Sequence, residues 1–530
     1  MKNVILIILV VLFFSCAKRG SIEGGKKDTI PPTLRMSNPK NGTTNFNQKQ
    51  IKLEFDEFVK LKDVSKQLIV SPPLNEAPLI MPTGATKRIT ITIKDTLLEN
   101  TTYSFNFGQS IQDNNEGNAY GQFKYIFSTG AYIDSLTLQG TIKDAFNKKP
   151  DNFVTVMLYE ANEKFNDSTI YKEKPRYVTN TLDSLITFKL ENLKPGDYHL
   201  IALKDKNNNN KFDPKSDKIG FYAQKITLPD EAIYELELFQ EMPSFKASKP
   251  SQAAGGKYFI PVVGHKSNIE IAVNDFENEI PVEITDFPKK DSVQVWIPKV
   301  KKDSLQIRIK KNDFDSTFTV QHKDQKLDTL QIKAKKSGGL DFRDSLTFVS
   351  TTPIRALDIS KMKLIKKDST NVEFSESYNQ FKPEFTLHFE KDENEKYILS
   401  LLPNAVKDLY EKTNDTIVFK FATRSYTDYG NLRLKLDNAK SYPIILDLTD
   451  DKGKLLATQY LEKQEDYVYF NHLVPAVFTI RIIYDENKNR KWDTGSYLEK
   501  RQTEEVFYFK SSIDIRANWD WDQVIDLSED

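Results

Sequence analysis

Apolar and polar residues alternate with a period of two along most of the chain. Ile51, Leu53 and Phe55 alternate with Lys52, Glu54 and Asp56, and the same pattern recurs from Ile89 to Ile93 and from Tyr103 to Phe107. Each run sends one face into a core and the other into water, which predicts half-buried strands. Asn41 and Gly42, Ser71 to Pro73 and Asn114 to Asn118 supply turn chemistry between the runs. The alternation returns at Leu138 to Ile142, Phe188 to Leu190, Ile269 to Val273, Val293 to Ile297 and Leu305 to Ile309. At 530 residues the chain exceeds a single core, because such cores stop growing near roughly 250 to 300 residues. The expected fold is all-β, a tandem array of about five antiparallel β-sandwiches strung like beads.

The array contains internal duplications. Leu193, Pro195, Tyr198, Asp205, Asn207, Asn209, Phe212 and Asp213 correspond to Leu473, Pro475, Phe478, Asp485, Asn487, Asn489, Trp492 and Asp493, each pair 280 positions apart. Phe127, Thr129, Tyr132, Asp134 and Leu138 recur 294 positions later as Phe421, Thr423, Tyr426, Asp428 and Leu432. Phe55 and Phe348, and Asp113 and Asp408, fall near the same spacing. A pair of sandwiches has been copied within one chain.

The run Asp28 to Leu34 with two prolines, Asn38 to Gly42, Leu53 to Glu57, and Gln112 to Asn114 leading to Phe127, Ser128 and Thr129 resembles the SbsA-type bacterial Ig-like domain. That resemblance implies a cell-envelope module whose distinctive residues are packing residues. Leu193, Pro195, Gly196 and Tyr198, followed by Asp205 to Asn209, resemble the transthyretin-like or carboxypeptidase-regulatory β-sandwich. These resemblances divide the chain into an Ig-like domain at 30–130, a transthyretin-like sandwich at 135–240, a sandwich of no named family at 257–335, a second Ig-like domain at 338–424 and a second transthyretin-like sandwich at 430–530. The stretch from Pro243 to Gly256 reads as a linker.

Ahead of the array, Lys2, an apolar run from Val4 to Phe14, then Ser15 and Cys16, resemble a lipoprotein signal peptide spanning residues 1–15. The apolar run is too short for a membrane-spanning helix, which needs about 20 residues. The resemblance implies lipidation at Cys16, the only cysteine, with residues 16–29 as a flexible tether. The stretch from Cys16 to Gly25 is also similar to lipoproteins of Bacteroidota, which implies an outer-membrane location on either the periplasmic or the cell-surface face.

Composition narrows the function classes. Seventy-five Lys and Arg balance seventy-five Asp and Glu, and no basic stretch interleaves with aromatics, so nucleic acid is not an expected partner. With one cysteine, the exported domains must rely on apolar cores and sheet hydrogen bonds. Thirty-four Phe and twenty-three Tyr supply residues suited to half-buried strands.

Candidate chemistry is confined to two loops. Asp205, Asn207, Asn209 and Asp213 place side-chain oxygens at positions 1, 3, 5 and 9 of a calcium-type loop, and Asp485, Asn487, Asn489 and Asp493 repeat them. Asn210 or Arg490 replaces the usual glycine, and Asp217 and Glu499 lie close enough in sequence to add a late carboxylate. The alternative is a loop whose Asx side chains satisfy its own backbone, anchored by Phe212 and Trp492. No two of the five histidines have metal-ligand spacing, and no GxSxG motif is present, so catalysis is not expected. His199 is expected on a surface, and Asp56 and Glu57 on a strand end.

The expected function is a non-enzymatic outer-membrane lipoprotein that acts as a scaffold or binding module for another envelope component. An accessory subunit of an outer-membrane assembly or secretion machine belongs to this class. The alternative is a surface glycan binder of a nutrient-uptake system, which needs exposed aromatic platforms; Trp519 and Trp521 are the candidates, with burial as their expected fate.

Overall fold

A computed structural model describes residues 27–182, 186–287 and 290–528 of the chain. The expected signal segment, Cys16 and most of the expected tether lie outside the described residues. Within them the protein is built from several separate, mainly antiparallel sheets that pair into five sandwiches, as the alternation predicts.

In the first sandwich, Gln50–Leu61 lies between Leu34–Asn38 and Thr86–Thr92, with Leu79–Met81 at the far edge. Its C-terminal end also pairs with Ile111–Asp113. The facing sheet holds Ile69–Ser71, Thr102–Asn106 and Lys124–Ser128. Phe55, Phe105 and Phe127 are buried between them, each contributing roughly 1.5–3 kcal/mol on burial.

The fourth sandwich repeats this plan. Ile332–Ala334, Leu346–Ser350, Glu384–His388 and Ser375–Asn379 form one sheet, and Met362–Lys366, Lys396–Leu401 and Ile417–Ala422 lie in the other. Specific polar contacts recur with the strand order. The Tyr103 hydroxyl accepts the Leu98 N–H at 2.9 Å, and 294 positions later the Tyr397 hydroxyl accepts the Asp392 N–H at 2.7 Å. The Thr129 hydroxyl accepts the Thr101 N–H, and the Thr423 hydroxyl accepts that of Glu395.

The second and fifth sandwiches share a rarer feature, a parallel strand pair. Leu136–Asp144 lies between Thr187–Leu193 and a parallel partner, Ile233–Leu238; Gly430–Asp437 likewise lies between Val468–Leu473 and a parallel Asp520–Asp526. The opposite sheets also match, with Gly196–Lys204 paired to Thr155–Glu160, and Ala476–Tyr484 paired to Ile444–Thr449.

The third sandwich is larger than expected at its start. Lys246–Ala247 and Ser251–Ala254, in the stretch read as a linker, both pair with Lys257–Val263. It is smaller at its end, because Ile332–Ala334 pairs with Leu346–Ser350 of the fourth sandwich. Composition cannot distinguish a linker from a short edge strand rich in Ser, Ala and Gly.

The beads are not separate. Between the first two sandwiches, the Val178 N–H donates to the Ser71 hydroxyl at 3.1 Å and Arg176 donates to the Thr101 hydroxyl at 3.1 Å. Between the third and fourth, the Asp286 N–H donates to the Phe381 carbonyl at 2.6 Å, and Phe381 packs on the third core. Between the fourth and fifth, the Phe342 and His472 rings lie 4.9 Å apart. The fifth sandwich then returns to the second. One apolar cluster contains Met157, Ile201, Phe221 and Phe239 of the second sandwich together with Tyr497 of the fifth, with Trp492 packed against it. Sandwiches two to five close a circuit, so the tandem array folds back on itself.

Candidate functional site

The two Asx loops are built alike, and each closes on a buried carboxylate. Asp205 is 7% exposed; its side chain accepts the N–H groups of Asn207 at 3.0 Å and Asn210 at 2.7 Å. Asp485 is 1% exposed and accepts those of Asn489 at 3.1 Å and Arg490 at 2.8 Å. Asn209 and Asn489 each accept an N–H two residues ahead, at 2.8 Å in both loops. Asn210 and Arg490 adopt left-handed backbone, with φ of 55° and 64°. Burial pushes the Asp205 carboxyl above its ordinary range.

A further carboxylate staples each loop from behind. Asp217 accepts the N–H of Lys206 at 3.1 Å and of Asp213 at 2.9 Å. Glu504 does the same for Glu486 and Asp493, both at 2.9 Å. Glu499, the late carboxylate expected from sequence, instead pairs with Arg501 at 3.1 Å. Burial holds the Glu504 carboxyl above its ordinary value. Asp213 accepts the Lys215 N–H, while Asp493 accepts the side-chain amides of Asn487 and Asn489. Phe212 is buried and Trp492 half-buried, with the Trp492 indole N–H donating to the Glu504 carbonyl at 3.0 Å. Among the described residues, no group of three or more His, Cys, Asp or Glu side chains converges as a metal cage does. The side-chain oxygens of Asp205, Asn209, Asp213, Asp485, Asn489 and Asp493 accept hydrogen bonds from the loops' own backbone and amides.

The shift from Glu499 to Glu504 exposes an insertion. Three residues separate Asp213 from Asp217, and ten separate Asp493 from Glu504, so the second copy carries seven more. Those residues make the contact with the first copy. The Thr494 hydroxyl donates to the Gln240 carbonyl at 2.7 Å, and the Tyr497 N–H donates to the Glu241 carboxylate. Tyr497 is 3% exposed against Phe221, and Lys500 pairs with Asp167 at 2.6 Å. Gly495 is required here: a Cβ would stand 2.6 Å from the Phe239 ring.

Beside the insertion lies a buried ion pair. Arg481 donates to Asp447 at 2.7 Å, both side chains being 5% exposed, and the guanidinium lies 4.1 Å from the Phe146 ring of the second sandwich. Strand register places Arg481 and Asp447 at the positions of Ile201 and Met157 in the first copy. The outer face of this sheet is thus apolar in one copy and charged in the other, and the two meet.

The remaining singled-out residues have plain placements. His199 is half-buried and stacked on Phe165 at 4.1 Å, less open than expected. Asp56 accepts the Thr33 N–H at 2.8 Å and hydroxyl at 2.5 Å, tying the proline-rich start to its sheet, which holds its carboxyl below the ordinary range. Trp296 is buried, whereas Trp519 and Trp521 are 49% and 36% exposed, correcting the expectation of burial. Trp519 precedes and Trp521 lies within the edge strand Asp520–Asp526. No helix among the described residues is long and apolar enough to cross a membrane.

No curated protein matches the chain. Among solved structures, it is similar to the S-layer protein rSbsC(31-844), at 11% identity over 92% of this chain and 67% of that one, with a TM-score of 0.15. It is also similar to the BSP domain of a biofilm associated protein, at 8% identity over 97% and 100%, with a TM-score of 0.15. A third is the Bacteroides ovatus mixed-linkage glucan utilization locus SGBP-B in complex with mixed-linkage heptasaccharide, at 10% identity over 71% and 93%, with a TM-score of 0.18. At the level of single domains, residues 28–129 match the bacterial Ig-like domain family, and residues 147–249 match a family described as an uncharacterized protein conserved in bacteria (DUF2141).

Proposed function

We propose that the protein is a non-enzymatic lipoprotein of the outer membrane, anchored through Cys16, which presents a rigid platform of sandwiches to another envelope component. The observation that carries this reading is the seven-residue insertion, whose Tyr497 is buried against Phe221 and locks the duplicated units together. A scaffold benefits from such rigidity, because a preorganised surface loses less entropy on association. Neither matched family description names a catalytic activity. The test is gentle extraction of the tagged full-length protein from its own membrane, followed by crosslinking and mass spectrometry. Stoichiometric recovery of an envelope protein crosslinked to a defined sandwich supports the scaffold; recovery of the chain alone removes the protein-partner reading.

A glycan-binding role is the second reading, favoured by the exposure of Trp519, whose ring lies 5.3 Å from the Arg516 guanidinium. Exposed indole faces stack on sugar rings, and a neighbouring guanidinium supplies hydrogen bonds to hydroxyls. Quenching or a blue shift of tryptophan fluorescence across a polysaccharide panel, lost in Trp519→Ala, supports this role. Silence across the panel removes it.

A further inference from the structure

The first sandwich is open at a place where the matching residues of its copy, Met362 and Leu364, are buried. A cavity of about 930 Å³ lies between it and the Asx loop of the second sandwich, within the range of roughly 300–1,000 Å³ usual for small-molecule sites. Its floor is apolar and includes Leu61, Val64, Leu68, Val70 and Ile80. Asn208 to Lys211 form the opposing rim, with Asn208 and Asn210 in left-handed backbone that turns the loop tip over the opening.

The chain carries its own control for this feature. Strand register aligns Val70, opposite Phe105, with Leu364, opposite Leu399, and hence Leu68 with Met362. Leu364 and Met362 are 1% and 6% exposed, and Val372 and Phe374 pack against the same core. In the first copy, Leu68 and Val70 are only half-buried and face the cavity. Apolar residues hold these positions in both copies, covered in one and open in the other.

Charge selects among apolar ligands. Two lysines, Lys174 and Lys211, line the cavity, and none of its lining residues is Asp or Glu. Lys174 is held by the Leu74 carbonyl at 2.5 Å. Lys211 is half-buried and makes no ion pair among the described residues. An ammonium at the rim of an apolar chamber matches a molecule with an anionic head and a hydrocarbon tail.

We propose that this cavity binds one long-chain fatty acid anion, with the tail on the Leu68 and Val70 floor and the carboxylate at Lys211. The site is independent of any partner bound elsewhere on the platform.

The test uses the full chain carrying Cys16→Ser, so that no acyl group of its own occupies the cavity, purified without detergent and stripped of lipid. Titration calorimetry with saturated fatty acids of ten, twelve and fourteen carbons should give one site per chain. Affinity should rise about fourfold per methylene, the fold-change equivalent to about 0.8 kcal/mol for each buried CH₂. Lys211→Glu should weaken binding at least tenfold while leaving the affinity for an alcohol of equal length unchanged. Val70→Trp should abolish binding, with an unchanged circular dichroism spectrum showing that the fold is intact. No saturable site, an affinity flat with chain length, an alcohol that binds the unmodified site as tightly as the acid, or indifference to Lys211→Glu would each overturn the proposal.

Discussion

Tyr497 stands edge-on to Phe221, with ring centroids 5.4 Å apart and planes at 86°, although the two rings belong to different copies of a duplicated sandwich. The contact exists because the second copy inserts seven residues that the first lacks. Removing a buried aromatic ring costs about 3–5 kcal/mol. Tyr497→Ala is expected to spend that loss on the closure of the circuit. The solution radius of gyration should increase, and thermal unfolding should separate into two transitions where the unmodified protein shows coupled ones.

The Arg481 and Asp447 pair separates charge from packing. Asp447→Ala leaves a buried guanidinium without its partner and should destabilise the protein by about 3–5 kcal/mol. The double variant Arg481→Ile with Asp447→Met, which restores the residues of the first copy, should lie within about 1–2 kcal/mol of the unmodified protein. Urea denaturation of the three proteins checks both values.

Tyr103 and Tyr397 perform the same task in the two Ig-like units, each accepting a main-chain N–H. Tyr103→Phe and Tyr397→Phe should each cost about 1 kcal/mol, and their effects should add within about 0.5 kcal/mol because the two hydroxyls share no partner. Denaturant midpoints of the single and double variants measure this.

Two histidines set a pH dependence. Burial first, then the guanidinium of Arg343, holds the His472 imidazole below its ordinary 6.5, and burial with Lys500 does the same for His199. The unfolded chain therefore binds more protons as pH falls through 6.5, and stability present above that pH declines until the folded values are reached. Melting temperature should drop between about pH 7.5 and about pH 5.5, and His472→Gln should flatten part of the slope.

The Asx loops spend their oxygens on their own backbone, so EDTA at about 1 mM is expected to leave the melting temperature unchanged. A ligand that binds only the native state would raise stability by mass action, so a drop of several degrees in EDTA would identify a cation there.

Much of the fold is visible in the residues. Alternation at Ile89 to Ile93 marks a strand, and the 280 and 294 spacings mark the duplications, because strand patterning and turn chemistry are local. The closure was legible in a signal that alternation obscures. Val156 to Tyr159 and Ile480 to Tyr484 are runs buried on both faces, as strands covered on two sides require. Glu499 is the nearer carboxylate in sequence, but nearness does not register an insertion, and only hydrogen bonding identifies Glu504 as the counterpart of Asp217. The exposure of Trp519 and the cavity above Val70 depend on which neighbours are missing, and residues do not record missing neighbours.

The two faces joined near Arg481 and Ile201 derive from the same ancestral surface, yet they differ. A face that docks on an unlike face forms a head-to-tail contact, which between separate molecules propagates into a filament unless the geometry closes. Here a single polypeptide supplies both ends of the contact. The effective concentration of the internal partner far exceeds that of any neighbouring molecule, so each chain satisfies its own adhesive surface. Cutting the chain between the third and fourth sandwiches is therefore expected to offer the contact around Tyr497 to a second molecule.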